Sequence, residues 1–171
     1  MKRSILFAFV FLTALANANA QSENTFHPEA IENCLQNSAV KGRFVVNLKT
    51  NPYYLRGDFD GDGEPDYALS IKGKKTMRNG VLICTARKQV IVLGADNPLS
   101  PPFSNMPGDN FVAPHWQVLT REETKALGKF ATTVPNPLPA LKGETIAMIW
   151  EDGISLIYWD GERFCWAGAA N

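Results

Sequence analysis

Residues 58–66, with the sequence DFDGDGEPD, concentrate acidic side chains within this 171-residue chain. Five carboxylates fall in this short segment: Asp58, Asp60, Asp62, Glu64 and Asp66. Two carboxylates about 4 Å apart repel by about 4 kcal/mol at an effective dielectric constant near 20, so a loop that gathers several of them needs a cation or basic side chains nearby. The alternation Asp-x-Asp-x-Asp-Gly sets oxygen ligands at positions 1, 3 and 5 of a loop, followed by a sharp turn. An all-oxygen ligand set of this kind suits Ca²⁺.

The acidic loop differs from a complete EF-hand. That motif requires a bidentate Glu at position 12, where this chain has Leu69, and Pro65 prevents a helix from leaving the loop. The neighbouring residues favour strands instead, over 52–56 before the loop and 66–71 after it. We therefore expect a loop between two strands.

The pattern D-x-D-G-D-G-x-x-D between two strands resembles the calcium loops of FG-GAP and VCBS-type repeats, which occur in integrin-like propellers and in secreted bacterial proteins. The resemblance covers residues 54–72 and a single copy of the motif. It implies that Glu64 ligates Ca²⁺ through its backbone carbonyl. It also implies side-chain ligation by four residues: Asp58, Asp60, Asp62 and Asp66. In a closed loop of protein oxygens, the ion is expected to order the loop and not to catalyse a reaction.

An acidic surface turn is the alternative to a metal site, because Asp-Gly pairs are ordinary turn formers. The charge would then be balanced by basic residues close in sequence: Arg56, Lys72, Lys74, Lys75 and Arg78. The basic run 72–78 could itself bind an anionic partner, although such runs are more often solvated turns.

The first twenty residues predict a signal peptide. Lys2 and Arg3 precede about eleven apolar residues, too few to span a bilayer, and Ala18-Asn19-Ala20 fits a cleavage site. We expect a mature chain that begins at Gln21, has no membrane anchor after cleavage, and is periplasmic or secreted.

The mature chain, residues 21–171, has the length of a single globular domain. Removing the two basic residues of the leader leaves 15 Lys and Arg against 17 Asp and Glu, a net charge near −2. This balance gives no indication of a nucleic-acid partner. The chain contains no internal repeat, and a propeller of such repeats would need several hundred residues.

Three cysteines, Cys34, Cys84 and Cys165, predict one disulfide and one leftover thiol in an exported protein. The sequence alone does not select the pair. We favour Cys34 with Cys84, which would attach an N-terminal helix to the sheet and leave Cys165 as a buried apolar side chain.

The patterning predicts an α+β protein that is mostly β, with antiparallel sheets, a short N-terminal helix over 28–36 and a C-terminal three-stranded meander over 144–150, 154–159 and 162–167. A three-residue turn at 151–153 would place Ala147 and Ile149 on the same face as Ile157 and Phe164. Both faces of the meander are largely apolar, so we expect both to be covered. Thr120 and Glu123 have capping-box spacing and predict a helix that ends near Leu127.

The function that these features favour is a non-enzymatic, calcium-binding module that binds an unknown protein or glycan partner or serves a structural role. The four tryptophans, which could stack on sugars, fit core packing better. The sequence contains no G-x-S-x-G, H-E-x-x-H or Cys-His signature around His27 or His115. A periplasmic hydrolase, or an inhibitor of one, that uses the proline-rich loop 94–110 is the alternative.

Overall fold

The computed structural model describes residues 27–95, 115–127, 141–151 and 153–167. The predicted signal peptide and residues 96–110 of the predicted functional loop lie outside the described part of the chain.

The described residues form two antiparallel sheets and two short helices, which confirms the predicted mostly-β class. In the first sheet the strand order is β1-β3-β4-β5, and β2 also pairs with β3. Its strands are β1 (Phe44–Val46), β2 (Tyr54–Gly57), β3 (Asp66–Gly73), β4 (Asn79–Cys84) and β5 (Val90–Gly94). The second sheet has the order β6-β7-β8-β9, with β6 (His115–Leu119), β7 (Thr145–Trp150), β8 (Gly153–Trp159) and β9 (Phe164–Ala167). The predicted C-terminal meander corresponds to β7–β9.

β1 and β2 lie end to end along one edge of β3. β2 pairs with the first half of β3, where Gly57 is opposite Asp66, and β1 pairs with the second half, where Phe44 is opposite Gly73. Since strands rise about 3.3 Å per residue, the two ends of the eight-residue β3 lie about 23 Å apart. The acidic loop and the basic run 72–78 are therefore at opposite ends of this strand.

The main core lies between the two sheets. The first sheet and the loop that follows β2 supply Phe59 and Ile83, and the second sheet supplies Trp116, Ile146 and Ile157. A second cluster lies on the other face of the first sheet, under α1 (Glu29–Leu35), and includes Ile31, Leu69 and Leu82.

The outer face of the second sheet carries a third apolar cluster, which includes Ala147, Leu156 and Tyr158, so both faces of the meander are apolar as predicted. The predicted register was wrong. Trp150 pairs with Gly153 and Ile149 with Ile154, which leaves two connecting residues and not three. Because a shift of one residue moves a side chain to the opposite face, Ala147 and Ile149 point away from Ile157.

The predicted disulfide and capping box are both present. Cys34 of α1 is bonded to Cys84 at the end of β4, and the thiol of Cys165 is free and buried. At the start of α2 (Arg121–Leu127), the backbone N–H of Thr120 donates to Glu123 Oε2 and the N–H of Glu123 donates to Thr120 Oγ1, at 2.8 and 3.2 Å. No helix among the described residues has the length and apolar character needed to cross a membrane.

Candidate metal centre

The acidic loop connects β2 and β3, as the sequence predicts. Phe59 is fully buried in the core between the sheets and anchors the first turn of the loop. The backbone of Gly63 is left-handed, with φ of +89°, so the sharp turn lies at the position where it was predicted. The anchored turn holds the carboxylates on either side of Phe59 against the body of the protein.

Three of the five predicted ligands converge in this loop. One carboxylate oxygen from each of Asp58, Asp60 and Asp66 lies within 4.8 Å of the others. Asp66 is completely buried and Asp60 is 7% exposed. Such a group of hard oxygen donors could hold a metal ion.

Asp66 organises the backbone around the cluster. Its Oδ2 accepts hydrogen bonds from the backbone N–H groups of Phe59 and Asp60, at 2.8 and 3.1 Å, and its Oδ1 accepts one from Ala86 at 2.8 Å. These bonds favour the ionised carboxylate, but burial outweighs them and raises the pKa of Asp66 to about 6, with a further contribution from the charge of Asp60. The first residue of β3 thus ties the loop to the β4–β5 turn.

Within the described ranges, one carboxylate oxygen of Asp58 is left without a hydrogen bond. Asp58 Oδ2 accepts a hydrogen bond from Gly63 N at 3.1 Å, while its Oδ1 is buried and has no hydrogen-bond partner among the described residues. Asp60 Oδ1 accepts a bond from Asp62 N at 3.1 Å. Burial raises the pKa of Asp60, and the negative charges of Asp62 and Asp58 raise it further. The hydrogen bond from Asp62 N and the positive charge of Arg87 lower it, but the net shift is upward. Negative charge in the cluster is therefore only partly compensated by the protein.

The other two predicted ligands lie outside this group. Asp62 Oδ2 forms an ion pair with Arg87 Nε at 2.9 Å, and Asp62 Oδ1 accepts a hydrogen bond from Glu64 N at 2.8 Å. Glu64 is exposed. Ligation by Asp62 and by the carbonyl of Glu64 stays a prediction.

Three of the basic residues that would balance the loop under the alternative of an acidic turn form no ion pair with it within the described ranges. Within the described part of the chain, Arg87 makes the ion pair with the loop, whereas Lys72, Lys74 and Lys75 make none with it. These lysines belong to the far end of β3 and the turn that follows. The interpretation as a turn neutralised by these three lysines therefore has no support in the geometry.

The segment that precedes β7 forms a second support for the loop, which the sequence did not indicate. Asp58 N donates to Glu144 Oε2 at 2.8 Å, and Glu144 N donates to Asp58 O at 2.7 Å. A Cβ atom at Gly143 would collide with the carbonyl oxygens of Asp58 and Phe59. Gly61, with φ of +76°, packs equally closely on the carbonyl of Lys142. The loop thus joins the first sheet to the second.

The histidines and tryptophans that were considered as site residues do not belong to the group of converging carboxylates. His27 Nδ1 is 3.2 Å from the hydroxyl of Tyr53, and His115 is exposed at the start of β6. Trp116 is buried in the core between the sheets, and the other three tryptophans pack against that core: Trp150, Trp159 and Trp166. Their packing agrees with the structural role that the sequence favoured.

No family model, no curated protein and no solved structure matches this chain.

Proposed function

We propose that this protein is an exported, non-enzymatic module whose loop 58–66 binds Ca²⁺, and that the bound ion orders the loop. The observation that carries the proposal is the buried Asp58 Oδ1, which has no hydrogen-bond partner among the described residues although it belongs to a group of three carboxylates. A buried acceptor without a partner costs about 1–3 kcal/mol, and more when it is charged. A divalent cation would satisfy this oxygen and neutralise the group.

The donor set supports Ca²⁺ over Mg²⁺ or a transition metal. Ca²⁺ takes six to eight oxygen ligands in flexible geometry, whereas Mg²⁺ demands a near-ideal octahedron and transition metals favour nitrogen or sulfur. Asp58, Asp60 and Asp66 would supply three of these oxygens. By the likeness to FG-GAP and VCBS-type loops, Asp62 and the Glu64 carbonyl would add two. Asp62 can ligate while it remains paired with Arg87, because a carboxylate has about four lone-pair sites.

The proposed role of the ion is structural. The loop is bonded to Ala86 in the β4–β5 turn and to Glu144 before β7, so an ordered loop supports both regions. Neutralising the carboxylates would remove the repulsion that opposes this arrangement. The ordered surface would then be available to a protein or glycan partner.

Export to the periplasm or beyond the cell is part of the proposal. The disulfide between Cys34 and Cys84 supports an oxidising compartment, as does the predicted signal peptide. Extracellular calcium sites commonly have dissociation constants of about 10⁻⁴–10⁻³ M. The hydrolase or inhibitor alternative depends on a loop that is mostly outside the described residues, and no observation favours it.

Calorimetric titration of EDTA-treated, dialysed protein with CaCl₂ and with MgCl₂ tests the proposal. We expect one Ca²⁺ per chain and weaker binding of Mg²⁺. The double variant Asp58→Asn, Asp60→Asn should lose the Ca²⁺ heat. Glu162→Gln, which removes one exposed negative charge outside the loop, should keep it. Absence of Ca²⁺ binding by the unmodified protein up to about 10 mM, beyond the weak extracellular range, would refute the proposal.

A further inference from the structure

Positive charge is concentrated at the end of the first sheet that is remote from the acidic loop. The sequence has no Asp or Glu between Glu32 and Asp58, and none between Asp66 and Asp96. These two stretches carry ten Lys and Arg residues, among them Lys41, Arg43, Lys49, Lys72, Lys74 and Lys75. None of these six forms an ion pair with a carboxylate within the described ranges. Acidic and basic residues are therefore separated along the chain, although their numbers nearly balance.

The strand pairing brings these cations together. Val45 of β1 lies opposite Lys72 of β3, and Lys74 N donates to the carbonyl of Arg43 at 2.8 Å. Lys41 and Lys49 flank β1 in sequence, and Lys75 lies in the turn between β3 and β4. All six except the half-buried Lys72 are exposed. We call this surface the basic end of the first sheet.

The basic end also carries exposed apolar side chains. The large hydrophobic residues that are exposed in the described part of the chain are Val45, Leu48 and Met77, at 40%, 54% and 61%. Val45 and Met77 belong to the basic end, because Val45 lies opposite Lys72 and Met77 N donates to the carbonyl of Gly73, and Leu48 follows β1 next to Lys49. Met77 has φ of +61°, a left-handed conformation that is uncommon for a residue with a side chain, and its side chain is exposed to solvent. Exposed apolar groups gathered in one place indicate an interaction surface, whereas scattered ones do not.

We propose that the basic end docks onto the surface of an anionic lipid membrane. Lipid headgroups supply the negative charge that the cations lack, and the acyl boundary beneath them accepts apolar side chains, which a soluble polyanion or nucleic acid does not. Each Lys or Arg near such a surface strengthens binding roughly fivefold, which corresponds to about 1 kcal/mol. Docking of this kind is peripheral, so it requires no membrane-spanning segment. The acidic loop, at the other end of β3, would point away from the membrane.

Sedimentation of the purified protein with phosphatidylcholine vesicles, with and without phosphatidylglycerol, tests this proposal in EDTA. We expect binding only to the anionic vesicles, weaker at high salt. The variant Lys74→Glu, Lys75→Glu should bind at least about 25-fold more weakly, because it loses two cations that each strengthen binding about fivefold. Arg121→Glu, Lys125→Glu makes the same charge change on exposed positions of α2 and should bind like the unmodified protein. Equal loss in both variants, or none in the first, would overturn the assignment.

The apolar contribution is tested by Leu48→Ser, Met77→Ser, which leaves every charge in place. We expect this variant to lose the binding that survives high salt. Unchanged binding by it, or binding to soluble dextran sulfate without binding to vesicles, would overturn the membrane proposal in favour of a polyanion site. Thermal unfolding of each variant controls for folding, and Lys49→Glu, in a separate turn, gives a second charge reversal should the first variant fail to fold.

Discussion

Replacing Asp58 by Asn should change stability in opposite directions with and without Ca²⁺. In the metal-free protein, one carboxylate oxygen of Asp58 lies within 4.8 Å of an oxygen of Asp60 and of an oxygen of Asp66. Two charges at that distance repel by about 3.5 kcal/mol at an effective dielectric constant near 20. Because Asp58 is only partly buried, solvent and salt reduce this repulsion, and we expect a net stabilisation of about 1–2 kcal/mol on removing its charge.

Asn retains the oxygen that accepts the hydrogen bond from Gly63, so the substitution removes charge with little loss of structure. For a domain of this size, 1–2 kcal/mol corresponds to an increase in Tm of about 2–8 °C in EDTA. In the unmodified protein, Ca²⁺ at about 100 times its dissociation constant should stabilise by roughly 2.7 kcal/mol. The variant should lose most of that increase, because a ligand charge is missing.

Thermal unfolding followed by circular dichroism, in EDTA and in millimolar Ca²⁺, measures both effects on the same samples. Glu162→Gln is the matched control, since it removes one negative charge from an exposed position. A lower Tm for Asp58→Asn than for the unmodified protein in EDTA would refute the inference that the cluster is electrostatically strained. An undiminished response of the variant to Ca²⁺ would refute a role for Asp58 in binding.

Three further predictions concern the surroundings of the loop. Gly143→Ala should destabilise the protein by about 1–3 kcal/mol, because the added Cβ would collide with the carbonyls of Asp58 and Phe59. The control Gly153→Ala should change the free energy of unfolding little, because the space around that position is open. Denaturant unfolding compares the two variants. Burial raises the pKa of Asp66 in the folded protein, so in EDTA its contribution to stability should be largest below its unfolded pKa near 3.8 and should be lost as pH rises through about 6. The difference in Tm between Ca²⁺ and EDTA should therefore grow from pH 5 to pH 7. A constant difference would argue against competition between protons and Ca²⁺ for Asp66. Burial raises the pKa of Cys165 to about 11, with the neighbouring Asp160 adding to this effect, so its thiol should resist alkylation at pH 8 in the folded protein and react once per chain after unfolding, as mass spectrometry would show.

The features that the sequence predicted correctly are those encoded locally. The flanking strands, the turn at Gly63 and the capping box at Thr120 each depend on residues a few positions apart. The disulfide was selected by a simple argument about attaching a helix to a sheet. Long-range partners could not be read in this way. Glu144 lies 86 residues beyond Asp58, and no local pattern marks it as a support for the loop.

The errors have equally specific causes. The register of the meander depends on the number of residues that connect β7 and β8. The connection has two residues and not three, and this shift of one residue places Ala147 and Ile149 on the opposite face. The alternative of an acidic turn relied on lysines close in sequence to the loop, but the eight-residue β3 places them at the far end of the sheet. Arg87, which does pair with the loop, comes from a turn that is adjacent only after β3 and β4 have paired.

The pair of hydrogen bonds between Asp58 and Glu144 also bears on the order of events in folding. A contact that closes a loop of this length forms after more local pairings, because the entropy cost of closure must be met first. The β2–β3 hairpin can assemble early, while its attachment to the second sheet waits for the C-terminal strands. Interactions made after the transition state affect the unfolding rate more than the folding rate. We therefore expect Glu144→Ala, which removes one of these late bonds, to shorten the lifetime of the folded protein while leaving its speed of folding nearly unchanged.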